Sequence, residues 1–339
     1  MKRQLMTGLF AALAFTAVAQ SNEWRDPEVN AVNRAPMHAN FFAYETAEVA
    51  AKDAKEQSQN FMTLNGPWKF FWVKNADARP TDFWRTDYND KGWNNMPVPG
   101  VWELNGYGDP LYVNVGYAWR EQFKNNPPEV PTVNNHVGSY RREIMVPASW
   151  NGKEIIAHFG SVTSNMYLWV NGKYVGYSED SKLEAEFNLT PYLKPGQKNL
   201  IAFQVFRWCD GTYLEDQDKF RMTGIFRDVY LLKRPEAVLY DYFTTTKLLG
   251  SAAEVEICAK FLGNAAETVN IRIQDMDGNT VAAGGFKETA EGEYSHKAVF
   301  TIMEPKLWNP EKFPPQLASV PVRHRSQMVK LHWSLIRKN

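Results

Sequence analysis

The chain has 339 residues, 44% of them apolar and 22% charged, the balance of an ordinary soluble globular protein with room for about two domains. Thirty-eight basic side chains against thirty-eight acidic ones leave no formal net charge, which excludes the broad basic footprint of a nucleic-acid binder. Two cysteines cannot build a disulfide framework, and the six scattered histidines give no Cys/His spacing for zinc.

Lys2 and Arg3 precede an apolar stretch over 9–19 that ends in Ala17-Val18-Ala19. A charged start, a short apolar centre and small residues at an A-x-A site predict a secretory signal peptide over 1–19, hence an exported protein, periplasmic or secreted. The run is shorter than the roughly 20 apolar residues of a bilayer-spanning helix. No cysteine follows the cleavage site to carry a lipid, so no membrane attachment is expected after cleavage. Residues 20–45 carry no interpretable pattern, and 20–60 is set apart as an N-terminal segment whose one plausible helix is 47–56.

From Leu64 onward the chain reads as strands punctuated by turns. Gly66–Val73 is rich in aromatics, 137–146 mixes apolar and charged residues, and Glu154–Phe159, 166–170 and 173–177 follow. The last two are joined by Asn171-Gly172, a strong hairpin signal because both turn positions require positive φ. Segments 199–206 and 225–232 complete a set that predicts an all-β sandwich over 61–235.

The pattern restarts near Arg234-Pro235-Glu236. Short strands at 238–247, 253–261, 268–274, 280–283 and 294–302, with an Asp277-Gly278 turn, predict a smaller immunoglobulin-like sandwich over 236–312 that is short of strands. Cys209 falls in a loop-like stretch and Cys258 in a strand; both are expected unpaired, with Cys258 a small buried hydrophobe. Residues 313–339 hold five basic residues and no acidic one, with no sustained period of 2 or 3.6. They read either as a basic tail for an acidic partner or as sequence not shaped by this fold, and the second reading is preferred.

Four stretches, in order, carry a resemblance. They are Leu64-Asn65-Gly66-Pro67-Trp68-Lys69-Phe70; Met96-Pro97-Val98-Pro99-Gly100-Val101-Trp102-Glu103 with Gly106-Tyr107-Gly108 and Pro110-Leu111-Tyr112-Val113-Asn114-Val115; Tyr140-Arg141-Arg142 with Val146-Pro147 and Trp150; and the run from Arg207-Trp208-Cys209-Asp210-Gly211 through Glu215-Asp216-Gln217-Asp218 to Arg221-Met222-Thr223-Gly224-Ile225-Phe226-Arg227-Asp228-Val229. Over 64–232 the chain resembles the N-terminal sugar-binding domain of family 2 glycoside hydrolases, in particular bacterial β-galactosidases. The resemblance implies a jelly-roll, galactose-binding-like sandwich followed by the partial immunoglobulin-like one. It extends to Lys306-Leu307-Trp308-Asn309-Pro310-Glu311-Lys312 and stops at Phe313-Pro314-Pro315-Gln316, which reads as a lost frame in an enzyme fragment.

Retaining glycosidases need two carboxyl groups about 5–5.5 Å apart. In this family both come from a barrel of about 250 residues, which the chain after Pro235 is too short to hold. No catalytic residue is therefore assigned, and the chain alone is expected to be inactive. Glu215, Asp216 and Asp218 read as scaffold, paired with Arg207, Arg221 or Arg227. By spacing alone Asn114 is a turn residue and Asp210 a turn-starting Asp before Gly211. The resemblance instead implies that both reach the galactosyl site, with Asp210 also ligating sodium. The remaining sodium ligands and the magnesium site belong to the barrel, so at most a partial sodium site is expected here. Expected partners are β-galactosides, with homo-oligomers in the full-length form. Trp68, Trp84, Trp93, Trp102 and Trp169 read as core in preference to a sugar-stacking platform. A stand-alone carbohydrate-binding module is the second reading, since fold alone does not choose between the two.

Overall fold

The structure is a computed structural model that describes residues 22–215, 217–235, 238–263, 269–275, 278–288, 294–305, 317–324 and 327–334. The signal peptide expected over 1–19 and the acidic Asp216 lie outside the described residues.

The chain is all-β. A seven-stranded antiparallel sheet runs in the order Ala31–Val32, Lys173–Ser178, Asn165–Val170, Lys198–Phe206, Val137–Met145, Gly66–Val73, Asn94–Val98. A four-stranded sheet of Ala185–Asn188, Glu154–Phe159, Val229–Arg234 and Phe61–Thr63 packs against it to form the jelly-roll sandwich. The core between them is aromatic: Trp68, Trp102, Tyr140, Phe159, Phe187 and Phe203 are fully buried, and the Tyr140 and Phe203 rings stack 4.4 Å apart. Burying such rings removes 150–250 Å² each from water, about 25 cal/mol per Å². The indole N–H of Trp102 donates to Tyr140 Oη at 2.5 Å, so the polar edge of that ring is satisfied inside the core.

The Asn171-Gly172 hairpin forms as expected, with φ of 51° and 80°. The expected strand 225–232 does not run through. It splits into Gly224–Ile225 and Val229–Arg234, because Asp228 turns aside to accept from Lys55 Nζ at 2.6 Å and Asn65 Nδ2 at 2.9 Å. The expected helix 47–56 is shorter too. It spans Ala47–Lys52 from a Thr46 cap and ends where Asp53 adopts φ 50°, followed by a 3₁₀ turn at Lys55–Gln57.

The second sandwich packs Val238–Leu249, Ala252–Leu262, His296–Met303 and Lys287–Glu288 against a five-stranded sheet, around Val255, Ile257, Ile271, Ile273 and Phe300. That second sheet corrects two expectations. The described part of 313–339 is not outside the fold: Leu317–His324 and Gln327–Ser334 pair antiparallel, with Leu317–His324 beside Asn270–Gln274. The sandwich expected to be short of strands gains these two, besides Ala43–Tyr44 and Lys287–Glu288. In sequence Ala318, Val320 and Val322 alternate with polar residues or proline, and they pair in register with Trp333, Leu331 and Val329. Pro321 and the histidines hide that period.

The uninterpreted N-terminal segment laces the two sandwiches. Trp24 is buried against Phe206, 5.0 Å between rings; Ala31–Val32 edges the seven-stranded sheet; Ala43–Tyr44 pairs with Gln327–Ser334. Among the described residues no helix is long and apolar enough to cross a membrane.

Candidate functional site

Asp210 opens a 3₁₀ turn, Asp210–Tyr213, just beyond the long central strand Lys198–Phe206. The Cys209 N–H donates to Thr212 Oγ1 at 3.1 Å, which fixes the turn and points Asp210 inward. The residue is only 7% exposed, and its Oδ1 is buried with no hydrogen-bond partner. It lines a cavity of about 340 Å³ whose walls also carry Asp26, Glu179, Asp180 and Glu215 and no basic residue.

Glu179, Cys209 and Asp210 bring one ligand atom each to within 4.8 Å of one another. Burial, with Asp210 alongside, pushes the Glu179 carboxyl up to about 8, and burial also raises Asp210. Tyr177 Oη donates to Glu179 Oε1. The backbone leaves no slack here: a Cβ at Gly211 would lie 2.8 Å from Glu179 Oε2. Glu179 and Tyr177 were missed by sequence reasoning. Their one signal is the i, i+2 spacing that places both inward at the end of Lys173–Ser178.

Asn114 is exposed, in the bend after Leu111–Val113. That short strand pairs with Lys219–Arg221, Tyr112 opposite Phe220, so the loops carrying Asn114 and Asp210 are tied together. The two residues nonetheless do not line one cavity, since Asn114 is absent from the walls around Asp210.

Of the neighbouring acids, Glu215 behaves as scaffold. Glu215 Oε1 accepts from the Ser181 N–H at 3.0 Å. Arg221 reaches the Glu215 main-chain carbonyl at 3.1 Å, and Arg227 donates to the carbonyls of Gly160 and Lys182. The tryptophans are core: Trp68, Trp93 and Trp102 are buried, Trp84 and Trp169 half-buried. Both cysteines are free, but Cys209 is the buried one and Cys258 is half-buried beside Glu256.

Residues 61–235 match the family model for the glycosyl hydrolases family 2 sugar binding domain. The chain belongs to glycosyl hydrolase family 2. Among curated proteins it is 42% identical over 227 residues to a beta-galactosidase of Priestia megaterium, covering 67% of this chain and 22% of that protein. A beta-galactosidase of Halalkalibacterium halodurans is 36% identical over 291 residues, covering 85% of this chain and 28% of that one. The chain thus spans about a quarter of the length of the curated relatives it matches. Of the solved structures, the beta-glucuronidase of Ruminococcus gnavus in complex with uronic deoxynojirimycin aligns with a TM-score of 0.60 at 18% identity, covering 82% of this chain and 46% of that one. An uncultured Clostridium sp. beta-glucuronidase gives 0.59 at 18% identity, covering 81% and 44%. At that identity the likeness speaks for the fold alone.

Proposed function

We propose that this chain supplies the sugar-binding part of an exported bacterial β-galactosidase, one that hydrolyses terminal β-D-galactosides by a retaining mechanism. The observation that carries the reading is Asp210: a buried carboxylate beside the Glu179 carboxyl, facing an acidic cavity, inside a domain of the sugar-binding family. In this reading Asp210 accepts from a sugar hydroxyl and Asn114 donates to and accepts from others. The walls around Asp210 suit a hard cation, since oxygen donors are gathered there without a competing base. Asp210 would hold sodium, which would supply fixed positive charge beside the sugar.

Catalysis by a retaining route needs a carboxyl pair, and no residue of this chain is assigned to it. Hydrolysis is therefore ascribed to the longer protein that the relatives represent, and the chain by itself to weak galactoside binding, millimolar or worse, because ordering costs absorb the gain from a few contacts. The export reading rests on Lys2, Arg3 and the apolar run over 9–19. The test is a chromogenic β-galactoside assay on purified chain, beside galactose titration of the wild type, Asp210→Asn and Asn114→Ala. No turnover, with weak binding lost in both variants, is the expected result. Turnover abolished by Asp210→Asn overturns the division of labour, and binding unchanged in both variants overturns the site. A stand-alone binding module would show tight glycan binding by the chain itself.

A further inference from the structure

A second cleft, of about 400 Å³, opens beside the loop that follows Leu111–Val113. Half-buried Arg207 and the buried Trp208 and His136 line it, and Lys74, Arg120, Asp109 and Glu121 stand exposed around them. Neither Asp210 nor Asn114 lines it.

Arg207 is the residue that demands an explanation. Its main chain is pinned, with the N–H donating to the His136 carbonyl at 2.8 Å. Its side chain is not. Among the described residues the guanidinium donates no hydrogen bond and joins no ion pair, and Nε is buried without a partner. The group lies over the Trp208 ring, 4.8 Å from the centroid. Glu103 and Asp109 attract it only through space; Glu103 Oε2 accepts from the Thr223 N–H at 2.9 Å, and its Oε1 is buried without a hydrogen-bond partner. Beside it, His136 is 5% exposed and its Nδ1 also lacks a partner. Burial, with Arg207 and Lys74 nearby, holds that ring uncharged, its pKa lowered to about 3.

Burying donors without partners forfeits their hydration for nothing, so such groups are rare unless something else meets them. A planar guanidinium fork fits an oxyanion through two parallel hydrogen bonds. The cleft has the volume for a sugar unit; Asn134 Nδ2 donates to Gln122 Oε1, and the other end of each amide, Gln122 Nε2 as donor and Asn134 Oδ1 as acceptor, is left for hydroxyls. Trp208 and Tyr112 add aromatic surface.

We propose that this cleft binds a saccharide through an oxyanion carried on the sugar ring, a sulfate ester or a carboxylate, with Arg207 as the anchor. The inference does not depend on Asn114 or Asp210.

The experiment titrates the full chain with galactose 6-sulfate, galacturonate, galactose and sodium sulfate by calorimetry, and follows arginine side-chain N–H resonances. The expected result is that at least one oxyanion sugar binds about tenfold more tightly than galactose, the margin of a charge-assisted hydrogen bond, and shifts an arginine Nε–H signal. Arg207→Gln should erase that margin, and Arg207→Lys should recover part of it. The ratio between sulfate ester and carboxylate identifies which oxyanion the fork prefers. Galactose binding as tightly as both oxyanion sugars overturns the proposal, as does sulfate alone binding as tightly as the sulfated sugar. Should Arg207→Gln not fold, an unmoved set of arginine signals in the wild type overturns it equally.

Discussion

His158 Nδ1 lies 3.0 Å from Glu186 Oε1, and both residues are nearly buried. The other oxygen of the same carboxylate faces His38 Nε2 at 3.3 Å, so one acid is shared by two imidazoles. His158 and Glu186 stand on paired strands of the jelly roll, whereas His38 belongs to the N-terminal segment. One residue further on, the Ala39 N–H donates to Asp241 Oδ1 at 2.8 Å, on the first long strand of the second sandwich. The carboxylate thereby clamps three parts of the chain.

The clamp should give stability a defined pH window. Burial alone would raise Glu186, but the hydrogen bonds and charge of His158 and His38 outweigh it and hold the group at about 2. A depressed acid contributes fully above its ordinary 4.5 and loses that contribution as pH falls towards 2. Burial would lower His38, but Glu186 outweighs it and raises the pKa above 6.5. A raised histidine contributes fully below 6.5 and loses the contribution as pH climbs through the folded value. Glu184, Asp241, Lys233 and Arg234 face the same seam. In urea unfolding, Glu186→Gln should cost about 1.5–3 kcal/mol near pH 5.5, with the gap narrowing as pH falls from 4.5 towards 2 and again as it climbs past 6.5. A gap of constant size across that range would remove the clamp from the account.

The N-terminal anchor can be tested at Trp24. Its ring packs on Phe206, its exposure is 3%, and the Arg25 guanidinium covers it 4.0 Å from the centroid. Trp24→Ala should destabilise the first sandwich by about 3 kcal/mol through the cavity it leaves, read by chemical unfolding. A loss below half of that would mean the segment is carried by the sandwich and not part of it.

Gly138 is held by packing and not by its backbone angle. A Cβ there would sit 2.4 Å from Trp102 Cζ2 and 2.6 Å from Phe70 Cε2, two rings of the fully buried core. Gly138→Ala should cost about 1–3 kcal/mol by overpacking. The near-ultraviolet dichroism of Trp102 should change with it, and an unchanged spectrum at full stability would contradict the packing described.

Removing residues 317–339 should uncover the edge of Asn270–Gln274 and leave Ala43–Tyr44 unpaired. Exposed edges invite association. Limited proteolysis is expected to cut the shortened chain within the second sandwich while sparing Phe61–Arg234, and light scattering should report aggregates. Identical digestion of both chains would show that the hairpin adds nothing.

Much of this architecture can be read from local pattern. Gly66–Val73 and Glu154–Phe159 form at their predicted bounds because aromatic and β-branched residues there fit a pleated, buried surface. The hairpin of 317–334 escaped for the opposite reason: its alternation runs through Pro321, and it becomes clear only when Val320 is set opposite Leu331. At the site, Asp210 reads from spacing as a turn residue, and only family likeness suggests more. Glu179 carries no mark in the sequence beyond its spacing and Arg207 reads there only as an ion-pair partner, because what sets them apart, a carboxyl neighbour in one case and a missing partner in the other, depends on chain segments far away in sequence.

The pairing of Ala43–Tyr44 with Gln327–Ser334 joins one of the first described segments to the last. On a ribosome the first partner emerges with nearly the whole chain still to be made. Domains made first can fold first, at about 5–20 residues per second, and non-local pairings form slowly because a long loop must close. The jelly roll can therefore fold on the emerging chain, while the second sandwich must wait, one sheet unfinished, until Gln327–Ser334 has emerged.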